Sequence, residues 1–154
     1  MRAPIGRTIL AGVAGGFALN VAMLLTFRLL GFGLDARGIL LNPSLQSPKL
    51  IAVWTTLPPP PLIVTHPLAI GLALVGFGIL HAFLYRWLAP AWPPGIGRRA
   101  LRMALLLLVL PYLFFEFFTP FNQLHEPVGL VIIELAFWGV VALAEGFTLA
   151  WLME

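Results

Sequence analysis

Read only for apolar and polar positions, the chain divides into four long apolar runs separated by proline-rich or polar breaks. The runs cover about Thr8 to Phe32, His66 to Leu88, Leu101 to Phe118 and Val128 to Met153. Residues 8–27 and 66–85 each continue for 20 residues without a formal charge, the length a helix needs to cross a hydrocarbon core. Pro90, Pro93, Pro94 and Gly95 break the chain between the second and third runs, and Pro120 and Pro127 bracket the turn between the third and fourth. The pattern predicts an all-α, polytopic membrane protein. It should be a single domain over residues 1–154, a four-transmembrane-helix bundle with an extracytoplasmic interfacial segment. No residue match relates the first pair of spans to the second as a repeat.

Residues 33–65 fit neither a span nor a free loop. The stretch "LNPSLQSPKLIAVWTTLPPPPLIV" is too broken to cross a membrane and too apolar to float in water. Ser47 before Pro48 is a helix-start signal, and Pro58 to Pro61 must end any helix that begins there. Two readings follow. One is a short interfacial helix over about 48–57 leading into a stiff proline stretch; the other is an ordered loop packed over the bundle.

Composition sharpens the membrane reading. Apolar residues make up 60% of the chain and charged residues 10%, against about a quarter in soluble domains. The absence of cysteine excludes disulfides, zinc–thiolate sites, iron–sulfur clusters and dithiol chemistry. A net charge of +3 could suggest nucleic acid, but the basic residues are too few and too dispersed for such a footprint. They carry a topology signal instead. Arg2, Arg7, Arg86, Arg98, Arg99 and Arg102 fall on one side; Arg28, Arg37 and Lys49 fall on the other, beside Asp35 and Glu126. The positive-inside rule then expects a multi-pass protein of the cell inner membrane with both termini cytoplasmic. Trp87, Trp92 and Trp151 should lie near the cytoplasmic interface. The first apolar run is too long for a signal peptide and lacks a clear A-x-A site, so it reads as an uncleaved helix.

Candidate chemistry comes from the polar residues within the spans. Glu116 sits among aromatic rings in "FFEFFTPFNQLHEP". Intramembrane polar groups tend to face the bundle and pair, so depth decides which can meet. Glu116 lies roughly 21 Å beyond Arg102, and Glu134 about 10 Å beyond Pro127 on the antiparallel neighbour, which brings the two carboxyls to similar depth. Arg28, at the outer boundary of the first span, can bend toward them. His66 and His125 complete an expected outer cluster of Arg28, His66, Glu116, His125 and Glu134. Glu116 is then tolerated because a cation sits beside it or because it stays neutral. The cluster reads either as a proton or ion site or as a buried ion pair that holds helix register.

An inner set is expected at the other end. Glu145 shares a helical face with Glu134, and Trp138, Val141 and Thr148 lie on the same stripe. His81 and Tyr85 share a face of the second span, and His81 comes within about one turn of Glu145 in depth. Proton relay and simple interhelical bonding both remain open for this pair. Gly12, Gly15 and Gly16 on the first span, with Gly71 and Gly78 on the second, are helix-packing positions. Asn20 can bond across to another helix, and Pro111 should disturb the third span.

Familiar chemistries are missing. Haem ligation needs two histidines facing at one depth, and only His66 and His125 share a level, near the surface. No Glu-x-x-His pair, H-E-x-x-H motif, nucleophile elbow or phosphate loop occurs, so no catalytic residue, metal or cofactor is assigned. The layout has a Gly/Ala-rich first helix ("LAGVAGGFALNVAMLL"), a broken segment, and a second helix that starts with histidine and ends in "HAFLYRWLAP". It resembles small, uncharacterised four-span integral membrane proteins of bacteria. That resemblance implies a four-helix bundle and no particular activity. The expected role is a structural or accessory subunit whose partners are the lipid bilayer and other membrane subunits or further copies of itself. The alternative is a channel or carrier for protons or a small solute, with a membrane enzyme third. A carrier needs a polar path between the two clusters; a scaffold needs only small-residue faces and saturated ion pairs.

Overall fold

The structure is a computed structural model describing residues 3–154; Arg2, part of the topology expectation, lies outside them. The described residues are mostly helical, about 81%, with no strand. Four helices are long and apolar enough to cross a membrane: α1 (Ile5–Phe32), α3 (Pro67–Ala91), α4 (Ile96–Gln123) and α5 (Val128–Met153). The short α2 (Pro48–Thr55) lies between α1 and α3. The spans extend a few residues beyond the hydropathy limits, because Ile5 to Arg7 and Ile96 to Ala100 already have helical backbone. The protein is therefore an all-α, four-helix, multi-pass membrane protein.

Packing does not follow chain order. α1 packs on both α3 and α5, and α5 packs on α4, while α3 makes little contact with α5. The α1–α3 seam is built from missing side chains. A Cβ on Gly12 would stand 2.5 Å from the Ile79 backbone, one on Gly16 2.5 Å from the Val75 backbone, and one on Gly78 would collide with the backbone of Gly12 and Gly16. Helix axes can approach this closely only where no side chain intervenes. Gly15 turns instead toward α5, where Leu149 fills the space in front of it. Gly71 takes part through its carbonyl, which accepts a 3.2 Å hydrogen bond from Asn20 Nδ2. Gly146, on the α4–α5 seam, lies against the Ala100 carbonyl and went unrecognised in the sequence.

Proline shapes α4. Pro111 has no N–H to donate, and its ring crowds the carbonyl one turn back, so the helix widens into π-type turns at Leu108–Tyr112 and again at Phe117–Gln123 around Pro120. Between them a single α-turn, Leu113–Glu116, carries Glu116 inward. Phe114, Phe115, Phe117 and Phe118 all point outward, at the lipid level, while Glu116 is fully buried. The aromatic residues flank the carboxyl in sequence but not in space.

α2 begins as expected, with Ser47 Oγ accepting from Leu50 N at 3.1 Å, and it ends at Thr55 ahead of the prolines. The segment is also docked. Ser47 Oγ donates to Leu124 O at 2.5 Å and Lys49 Nζ to Gln123 O at 2.6 Å, so helix and packed loop are one arrangement.

Two ends can be distinguished. Arg7 Nε donates to Leu152 O at 2.5 Å, Arg86 Nε to Ala3 O at 2.8 Å, and Arg99 pairs with Glu154 at 3.2 Å. These contacts gather residues 3–7, the 89–99 turn and residues 152–154 at one end, the arginine end. Trp87 and Trp151 are exposed there, and Trp92 meets Tyr85 in a T-shaped contact. Residues 33–66 and the 124–127 turn form the opposite, loop end.

Candidate functional site

Three carboxyls meet beneath the loop end. Glu116 comes from α4, Glu134 from α5 and Glu126 from the turn between them, and each offers an oxygen within 4.8 Å of the others. Their residues are 0%, 6% and 2% exposed respectively. Trp138 Nε1 donates to Glu116 Oε1 at 2.5 Å, and Gln46 Nε2, reaching in from the loop before α2, donates to Glu126 Oε1 at 2.5 Å. Gln46 is itself held, through Leu40 O at 3.2 Å and Ser47 N at 2.7 Å. Oxygens Oε2 of both Glu116 and Glu126 are buried without a partner.

Glu116 and Glu134 meet, as their equal depth predicts, but the expected cations are elsewhere. Arg28 donates to the carbonyls of Gly33 at 2.6 Å and Leu34 at 2.9 Å, and its side chain stays exposed. The reason is local: the chain turns back just past the end of α1 at Phe32, which brings the Gly33 and Leu34 carbonyls within reach of Arg28. His66 is exposed at the turn before α3, with Nδ1 2.9 Å from Thr65 Oγ1. His125 is exposed in a left-handed conformation, φ 57°, which turns the chain so that Glu126 faces inward. Among the described residues, none of these three belongs to the outer cluster.

Glu126 and Gln46 take their place, and sequence reasoning missed both. In the sequence Glu126 stands only beside the basic residues of the outer loops. The available signal was spacing: Glu126, Leu130, Glu134 and Trp138 recur every four residues, a single face of α5 extended backward into the turn. Nothing local marked Gln46, which reaches Glu126 across 80 positions.

Burial moves Glu126 away from ordinary carboxyl behaviour. Desolvation raises its pKa to about 7; the Gln46 hydrogen bond works against this and the nearby Glu116 charge adds to it. For the cluster as a whole, Coulomb repulsion decides. Three negative charges within 4.8 Å of one another, in an interior of low dielectric, would cost far more than any hydrogen bond there supplies. The cluster must therefore take up positive charge, as protons or as a cation.

Below it the polar residues continue. Tyr112 stacks on Trp138 with centroids 4.3 Å apart, and Phe27 closes the other side at 4.6 Å. Tyr112 borders both apolar cores. Glu145, fully buried on α5, has Oε1 2.9 Å from His81 Nδ1 on α3, which is the contact the sequence allowed. Tyr85 does not join it. Its hydroxyl donates to Glu154 Oε1 at 3.2 Å, beside Arg99, because Tyr85 lies one turn nearer the arginine end than His81. Glu126, Glu116 with Glu134, the Trp138–Tyr112 stack, and Glu145 with His81 thus follow one another from the loop end inward. Comparison with protein-family models, with curated proteins and with solved structures gives no match to this chain.

Proposed function

We propose that the protein is a channel or carrier that moves a small cation, the proton included, across an inner membrane, with both termini on the cytoplasmic side. The supporting observation is the triad of buried acids with no basic side chain against it among the described residues. A register-fixing ion pair would be saturated, yet Glu126 leaves a buried oxygen unpartnered and Glu116 faces the Glu134 carboxyl in place of a cation. Trp138 and Tyr112 supply the polar link between the two levels that a carrier needs. The orientation follows from the arginines gathered at one end.

Flux into liposomes tests this. Vesicles holding the folded protein should pass protons, sodium or magnesium faster than empty vesicles, and Glu116→Gln should cut that flux at least about tenfold. No flux of any of these ions would end the reading. Cysteines introduced at Ser44 and Gln123 should react with an impermeant reagent in intact cells; protection of both would reverse the orientation.

An accessory-subunit role is the second reading. What favours it is α3, which packs chiefly on α1 and leaves Leu68, Leu72, Leu80 and Trp87 exposed along its length. A stoichiometric partner recovered after gentle detergent extraction would support that role over transport.

A further inference from the structure

Of the buried groups, the outer triad is the most demanding, since an arrangement of three acids needs positive charge to persist. The question is which positive charge the geometry suits. The donors are oxygens only: Glu116, Glu126 and Glu134, with no histidine or sulfur among them. Hard divalent cations take such ligands at about 2.0–2.6 Å, so two oxygens on opposite sides of one ion stand roughly 4–5 Å apart. One oxygen from each of the three acids lies within 4.8 Å of the other two, which is the span one ion bridges.

A second observation is independent of the clustering. Glu126 Oε2 is shut away from solvent with no hydrogen-bond partner, and Glu116 Oε2 has no donor group against it, its carboxyl meeting that of Glu134 instead, although a buried carboxylate oxygen ordinarily has a donor. On each residue the other oxygen is fixed by a donor, Trp138 Nε1 for Glu116 and Gln46 Nε2 for Glu126. One oxygen held and one left free is how carboxylate ligands are commonly oriented toward a metal by their neighbours. The candidate cations of the protein do not compete: Arg28 and Lys49 are exposed and bonded to backbone carbonyls.

We infer that Glu116, Glu126 and Glu134 form a binding site for a hard divalent cation of the Mg²⁺, Mn²⁺ or Ca²⁺ class, with Trp138 and Gln46 as positioning residues. The inference names the ion class for the transport reading and takes its physiological meaning from it, but binding is measured apart from flux. The three ligands arrive from α4, the turn and α5, so a bound ion ties the loop end of these helices together. Gln46 adds the segment before α2 to the same knot. Zinc and copper fit less well, since both favour nitrogen or sulfur donors.

The full chain, purified in detergent and stripped with a chelator, is titrated with Mn²⁺ while the electron paramagnetic resonance signal of the free ion is followed. One saturable site per chain is expected, displaced by Mg²⁺ or Ca²⁺. Glu126→Gln and Glu134→Gln should each weaken binding at least about tenfold, while Asp35→Asn, an exposed acid outside the bundle, leaves it unchanged. Should a ligand variant fail to fold, Gln46→Ala and Trp138→Phe keep the carboxyls and remove only their orienting donors; about a tenfold loss is expected from each. Absence of a saturable site, or a site whose affinity survives all four substitutions, overturns the inference. Cation flux without Mn²⁺ binding would overturn it too while leaving the transport reading intact. Mn²⁺ binding without flux would uphold the site and remove transport.

Discussion

Glu116 and Glu145 are the same residue type, both fully buried in the bilayer-spanning part of the bundle, and they have been given opposite company. Glu145 faces His81 at 2.9 Å, a contact that becomes an ion pair whenever the imidazole is protonated. Glu116 faces an indole N–H and two further carboxyls. At the arginine end, charges are complemented: His81 with Glu145, and Arg99 with Glu154 beside Tyr85. At the loop end like charges are concentrated instead, and the basic residues near them turn to backbone carbonyls. Complementation is what stability favours. Concentration of like charge costs stability and is kept where something must bind. On the proposed transport reading, the arginine end supports the bundle and the loop end carries the ion.

The largest effect should come from detaching one end from the other. Gly78→Val places methyl groups against the backbone of Gly12 and Gly16, and His81 lies one turn further along the same helix. Prising α3 from α1 should cost about 3 kcal/mol or more and take His81 from Glu145, with the acid triad undisturbed. Thermal unfolding in detergent measures the first and Mn²⁺ binding the second. Equal loss of both would mean that the two ends are one cooperative unit.

Single substitutions sharpen the contrast. His81→Ala strands a buried carboxyl and should destabilise by about 2–3 kcal/mol. Glu116→Gln removes one of three crowded acids and keeps an acceptor for Trp138, so metal-free protein should be unchanged or more stable by about 1 kcal/mol. Denaturation midpoints of the two variants, measured side by side, should move in different directions. A loss from Glu116→Gln as large as that from His81→Ala would erase the distinction.

Acidity separates the ends in a third way. Glu126 has its folded-state pKa raised from 4.5 to about 7. Between those pH values the folded chain keeps a proton that the unfolded chain has released. Stability of metal-free protein should therefore fall as the pH rises from about 4.5 to about 7, and the Glu126 contribution should level off above that. A shift of that size corresponds to a loss of about 3 kcal/mol. Apparent melting temperatures at pH 5 and pH 8 would show it, and Glu126→Gln should flatten the difference.

Arg28→Met should have the smallest effect, under about 1 kcal/mol, because an exposed guanidinium bonded to carbonyls has ready replacement by water. A loss of several kcal/mol in the melting curve, recovered on adding Glu116→Gln, would restore the ion pair that the sequence suggested.

How much of this was legible beforehand differs between fold and site. Four spans, the α2 start at Ser47, the disturbance at Pro111 and the glycine seam all follow from local rules: hydropathy over one helix length, a cap, a missing N–H, a missing Cβ. Such properties belong to a few consecutive residues, and the sequence by itself determined them. Depth is nearly as local, since a helix rises by a constant amount per residue, and so Glu116 with Glu134 and His81 with Glu145 could be paired by counting. Direction and partnership could not be counted. Arg28 had two targets within reach, the acids and the carbonyls of the turn just past its own helix, and only the folded chain chose between them. Glu126 became part of the site because His125 turns the backbone left-handed just before it. Gln46 did so because the loop before α2 folds back over 80 positions to meet it. Those outcomes depend on where several elements come to rest together, and the energies that decide them arise only once the helices have packed.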